Sequence, residues 1–189
     1  REQYGFALIS DECYVDLYYE EPPHCLLESG REGILVVHSL SKRSGMTGYR
    51  SGFVAGDAEL VAHYRRFRAG MGVAPTDPVQ RAAIAAWSDW DHVMARRDVF
   101  AAKRRVLLDL FAEVGLKVYP GNSGLFLWVE LPSGQTDVGF AELLLQRGIL
   151  VSPGSFFGDG QEGYIRLALV PSIDECRKTA ELWPRPEEL

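Results

Sequence analysis

Two hydrophobic periods alternate along the 189-residue chain: short unbroken apolar runs, and longer stretches where apolar residues recur every three or four positions. Runs of the first kind are FALIS (6–10), LVVHS (35–39) and SGFVAG (51–56). They predict strands covered on both faces, because a half-exposed strand would alternate apolar with polar residues. The stretch 57–70 predicts a helix with Asp57 as N-cap and Gly70 near its end. A second helix is expected over 76–89, with Thr76 or Asp77 as cap and Pro78 in the first turn. A third runs from about Trp90 to Val114. Val93, Val99, Phe100, Val106, Leu107, Leu110 and Phe111 form its apolar stripe, and Gly115 ends it.

Beyond that helix both periods recur. LKVYP, GLFLWVELP, GILVSPG and GYIRLALV read as strands, and DVGFAELLLQRG and SIDECRKTAELW as helices. This second α/β unit predicts two domains, 1–110 and 111–189, with the boundary inside 105–115 and the long helix as the strut. The opening REQYG reads as the last turn of a helix feeding a strand, so the pattern is expected to begin in the middle of an architecture.

Composition narrows the functional class. With 47% hydrophobic and 24% charged residues, the balance is that of a globular protein. The net charge of −6 argues against nucleic acid as a partner. The basic runs 63–68 and 95–105 fall in helical patterns and read as solvated faces. Cys13, Cys25 and Cys176 are odd in number and lack zinc spacing, so reduced thiols and a cytoplasmic location are expected. The four histidines form no metal-ligand pattern. No apolar run approaches the roughly 18 residues that span a bilayer, so no membrane partner is expected.

The candidate chemistry centres on HSLSKRSGMTGYRSGF (38–53). A lysine that bonds covalently to a carbonyl cofactor must sit where its amine can lose a proton, and Lys42 directly follows an apolar strand. Ser39 and Ser41 offer hydroxyls to phosphate oxygens. Gly45, Gly48 and Gly52 permit close backbone approach. Arg50 offers a planar fork of donors. On composition alone, the same stretch also reads as a loop with a surface lysine and a structural arginine. SDECY (10–14) adds a carboxylate, Asp11, at a strand end, where it can pair with a pyridinium nitrogen and keep the ring an electron sink. Tyr14 can donate to a phenolic oxygen.

Asp11 and Tyr14, then Ser39, Ser41 and Lys42, then Arg50 eight residues after the lysine, together resemble the class I and II aminotransferases, the fold type I pyridoxal-phosphate enzymes. The resemblance implies the C-terminal part of a large domain with a mostly parallel sheet and helices on both faces, followed by a smaller α/β domain. It places the aldimine lysine at Lys42, the pyridine-nitrogen partner at Asp11 and the phenolic-oxygen partner at Tyr14. The phosphate ligands fall on Ser39 and Arg50, and less firmly on Ser41. In this family a small-domain arginine grips the substrate α-carboxylate. GYIRLALV puts it at Arg166, expected to face inward between Ile165 and Leu167.

The resemblance further implies pyridoxal phosphate as cofactor, amino and keto acids as substrates, and a homodimer with 67–75 as a partner-facing loop. VHSLSKRSGMTGYRSGFVAGD, DPVQRAAIAAWSDWDHV and RLALVPSIDEC are similar to N-succinyldiaminopimelate aminotransferases. That subgroup implies glutamate and a succinylated amino-keto-pimelate as substrates in lysine and diaminopimelate biosynthesis. The family's Asn-Pro segment, stacking aromatic and phosphate-cradling turn would lie upstream of Arg1. Three alternatives share these residues: a β-lyase of the same fold, a non-catalytic ligand-binding module of a regulator, and a fragment inactive alone.

Overall fold

In the computed structural model, which describes residues 3–119 and 121–188, the chain divides into two units. One comprises residues 1–97 with 122–124, the other residues 98–121 with 125–189.

The first unit is built on a three-stranded sheet, β1 (Leu8–Asp11), β2 (Ile34–Ser39) and β3 (Gly52–Gly56), in the order β1-β2-β3. β1 runs parallel to β2, and β3 antiparallel to it. The end of β1, the end of β2 and the start of β3 therefore lie at one edge, and loops carrying chemistry leave from there. Ile34 and Val36 point into the core with Leu17 and Leu40. The expectation that FALIS is covered on both faces is not met among the described residues. β1 is an edge strand whose exposure alternates along its length, and Ile9 is 64% exposed.

Between β2 and β3 lies one helical turn, α1 (Leu40–Arg43). α2 (Ala58–Gly70) begins where Asp57 Oδ1 accepts from the N–H groups of Glu59 and Leu60. The other oxygen of Asp57 accepts from Gly33 N–H at 2.8 Å, so the cap also pins the start of β2. α3 (Asp77–Ser88) follows, with Thr76 as N-cap and Pro78 in the first turn. In α4 (Asp91–Glu113) the buried stripe is Val93, Phe100, Leu107, Leu110 and Phe111. Val99, expected in that stripe, is exposed. The buried set repeats near every seventh residue, and Val99 lies one step off that face. The expected 110/111 boundary and the observed 97/98 division both fall within α4.

The second unit is a four-stranded antiparallel sheet, β4 (Val118–Tyr119), β5 (Phe126–Glu130), β6 (Ser152–Pro153) and β7 (Tyr164–Ala168), in the order β4-β5-β7-β6. Leu127 and Val129 of β5 pair with Leu167 and Ile165 of β7, and all four are buried. α5 (Asp137–Gln146) contributes Phe140 and Leu144 to the core, and α6 (Ile173–Leu182) contributes Cys176. Trp183 sits edge-on to Phe111 at 5.1 Å. Lys103 is buried and ends on the carbonyls of Leu169 and Val170, at 3.3 and 3.4 Å.

The helical turn expected over residues 1–5 begins on Arg1 and Glu2, outside the described residues; Gln3 and Tyr4 form a turn. The strand expected at LKVYP is Val118–Tyr119, and its Pro120 is also outside them. Among the described residues, no helix is long and apolar enough to cross a membrane.

Candidate active site

Strand alternation separates the two carboxylates of DECY. Asp11, the last residue of β1, faces the exposed side. Its Oδ1 accepts from Cys13 N–H at 3.1 Å. Hydrogen bonding from Cys13 holds its carboxyl below the ordinary value, helped by the field of His38 and opposed by burial. Glu12 turns inward. Its Oε1 accepts from Leu26 N–H at 2.8 Å, and its Oε2 lies 3.3 Å from His38 Nε2. His38 in turn stacks on Phe53 with ring centroids 4.8 Å apart. Burial, then neighbouring Asp11, push the Cys13 thiol up to about 11, so it stays protonated. All three cysteines are free.

Tyr14 follows in two tight turns, with Val15 N–H donating to Glu12 O and Leu17 N–H to Tyr14 O. Lys42 lies on α1, and its Nζ stands 5.7 Å from the centroid of the Tyr14 ring. Lys42 is half-buried; the buried cation of the loop is its neighbour Arg43. Ser39 is the N-cap of α1. Its Oγ accepts from Ser41 N–H at 3.1 Å and donates to Ser51 O at 3.4 Å. The Ser41 hydroxyl makes no such bond with another described residue, which leaves it the freer of the two donors. Gly52 pairs with Ser39 at the start of β3. A Cβ there would lie 2.3 Å from His38 O, so only glycine lets β3 approach β2 this closely.

Arg50 adopts a left-handed conformation with φ 51° and ψ 44°, uncommon for a residue with a Cβ. Such strain concentrates at functional sites. Its Nη1 donates to Thr47 O at 3.1 Å, and the side chain is exposed. A cavity of about 360 Å³ opens beside it, with His38, Phe53, Tyr64 and Arg68 on its walls.

Arg166 lies in the second unit, opposite Trp128 on β5 and Ser152 on β6. Ile165 and Leu167 point into the core, so strand alternation turns Arg166 to the other face. The arginine expected to face inward is thus half-buried on the face of the sheet opposite Ile165 and Leu167. There its guanidinium is sandwiched between Phe126 and Phe157, 4.3 and 4.2 Å from the ring centroids. Trp128 and Tyr164 stack alongside, 5.6 Å apart. Arg166 makes no hydrogen bond or ion pair with another described residue, leaving its fork open to an external anion. The turn carrying Phe157 is tied down by Asp137 at the start of α5, whose Oδ2 accepts from Ser155 N–H at 2.8 Å.

The donors of the first unit fit pyridoxal phosphate. An amine stands beside a phenol, an ionised carboxylate ends the neighbouring strand, and a free hydroxyl and a strained exposed arginine suit a phosphate. Reading the sequence missed Arg43, Glu12, His38 and Phe157. Only Glu12 left a signal, because alternation along β1 puts it opposite Asp11.

The Aminotransferase class I and II family model matches residues 1–181. The chain is 40% identical over 181 residues to a 4-dedimethylamino-4-oxo-anhydrotetracycline transaminase of Streptomyces rimosus, covering 93% of this chain and 50% of the relative. It is 31% identical over 185 residues to an LL-diaminopimelate aminotransferase of Aquifex aeolicus, covering 95% and 48%. Among solved structures, a probable N-succinyldiaminopimelate aminotransferase from Thermus thermophilus superposes with a TM-score of 0.90 at 29% identity, covering 100% of this chain and 51% of that one. An aminotransferase from Neisseria meningitidis gives 0.87 at 38% identity, covering 95% and 49%. The chain thus spans about half the length of the relatives it matches.

Proposed function

The chain belongs to the class I and II aminotransferases, and on that premise we propose that the protein carrying it exchanges amino groups between amino acids and keto acids, with pyridoxal phosphate held on Lys42. The observation that carries this reading is the placement of Lys42 Nζ over the Tyr14 ring, at the strand edge where Asp11 ends β1. When bound, the cofactor supplies an electron sink for the pair left on the substrate Cα. Once a substrate amine takes its place on the cofactor, Lys42 Nζ would remove the proton from Cα as general base and deliver it to the cofactor's C4′ as general acid. Asp11, held ionised, pairs with the ring nitrogen, and Tyr14 donates to the phenolic oxygen. Ser41 and Arg50 bind the phosphate. Ser39 orders the turn between them and adds its hydroxyl if the long bond to Ser51 is given up. Arg166 grips the substrate α-carboxylate.

Within this activity we infer glutamate as amino donor and a succinylated amino-keto-pimelate as acceptor. The likeness to the Thermus protein and to the LL-diaminopimelate aminotransferase supports diaminopimelate-type substrates. We read the protein as a homodimer. Phe67, Met71 and Val73, exposed at the end of α2 and just beyond it, support a partner-facing surface there.

Borohydride reduction of the cofactor-loaded protein, followed by peptide mapping, tests the assignment. The label is expected on Lys42, and a label on any other lysine overturns it. Turnover of the succinylated keto acid with glutamate, against other keto acids, tests the substrate.

A further inference from the structure

We propose that Arg43 is a positioning residue that holds Lys42 Nζ over Tyr14; this rests on the reading of Lys42 as the cofactor lysine. α1 is a single turn of four residues, too short to hold its own geometry. Its rigidity must come from contacts, and Arg43 makes several that reach distant parts of the chain. The side chain is 2% exposed. Nη1 donates to Ala86 O at 2.6 Å and Nη2 to Asp89 O at 3.4 Å, across the end of α3. Nε lies 3.0 Å from Asp16 Oδ2. The guanidinium plane is flanked by Trp87 and Trp90, at 4.9 and 4.7 Å from the ring centroids.

Asp16 lies two residues beyond Tyr14. One side chain therefore ties the turn that presents the lysine to the segment that presents the tyrosine, and both to the α3–α4 junction. Next to it, Ser44 Oγ and His92 Nε2 are 2.9 Å apart, and Arg96 Nη2 donates to Lys42 O at 3.4 Å. A buried ion pair adds little net stability over an apolar replacement, so its worth here lies in the single geometry it enforces. Lysine cannot replace it, having neither the planar fork nor the flat face that stacks between two indoles.

The test uses the full-length, cofactor-loaded protein with Arg43→Met, Arg43→Lys and Asp16→Asn. Leu110→Ala, a buried position of the second unit, is the destabilised reference. Turnover, KM and the visible circular dichroism per bound cofactor are read together. Displacing a reacting group by about 1 Å can lower the rate about 100-fold. Arg43→Met is expected to lose kcat on that scale, with KM within about twofold and a diminished dichroic band. Arg43→Lys, which keeps the charge opposite Asp16, should fall between Arg43→Met and wild type. Leu110→Ala should melt earlier with kcat and dichroism unchanged. Arg43 variants that behave like Leu110→Ala overturn the proposal. If Arg43→Met does not fold, wild-type kcat and dichroism in Asp16→Asn overturn it instead. Failure of the Lys42 reading is seen separately, as a borohydride label on another lysine in the wild-type protein.

Discussion

β5 and β7 of the second unit bury Leu127, Val129, Ile165 and Leu167, whereas β1 and β3 of the first leave Ile9 and Phe53 exposed. The second sheet is held by apolar packing. The first sheet is held at its working edge by polar fastenings: Glu12 on Leu26 and His38, and Arg43 on Asp16. Directional bonds set one geometry where apolar contacts allow several, which suits the region presenting Lys42 and Tyr14. In the second unit the one proposed substrate-binding group, Arg166, is held instead between the rings of Phe126 and Phe157.

Four measurements bear on this contrast. The largest effect is expected from Arg166→Leu. Removing one partner of a desolvated arginine–carboxylate pair costs about 2–5 kcal/mol. KM for amino and keto acids should therefore rise at least about 30-fold, with bound cofactor and melting temperature unchanged; a normal KM would make the second unit scaffold alone. Next comes Leu127→Ala, which should lower the free energy of unfolding by about 2–5 kcal/mol in urea titrations.

A smaller effect, dependent on pH, is expected at Asp137. Hydrogen bonds from Ser155 hold its carboxyl below the ordinary value of 3.8 against the cost of burial. The native state thus favours the ionised form, and the stabilisation is full above the ordinary value. The melting-temperature gap between wild type and Asp137→Asn should be constant above about pH 5 and close as pH falls through the depressed value. A gap that widens in acid would reverse the sign. Smallest of all, Ile9→Thr in the 189-residue chain should change stability by no more than about 0.5 kcal/mol. A loss rivalling that of Leu127→Ala would break the contrast between the two sheets.

Much of this architecture was legible as period. The helix over 57–70 with its Asp57 cap, the helix over 76–89 with Pro78 in its first turn, and all but two residues of the α4 stripe follow from local spacing. Val99 and the half-buried Val106 did not obey it, because a tertiary contact selects a narrower face than hydrophobicity alone suggests. The positions of Asp11, Tyr14, Lys42 and Arg50 were legible as a motif. The freer hydroxyl of Ser41 was not, since the sequence does not say that Ser39 Oγ caps α1.

What the sequence by itself determined is therefore most of the helices and strands and which residues are candidates for the chemistry, since each depends on neighbours within a few positions. Only the tertiary structure decided how those residues are held. Arg43, written beside a lysine, reads as one more surface charge until Asp16, Ala86, Trp87 and Trp90 converge on it from distant parts of the chain. Arg166 likewise acquires its rings only when Phe157, from the turn before β7, folds over its face. Periodicity records which side of an element is buried; it carries no record of which remote partner completes a hydrogen bond or a stacked pair.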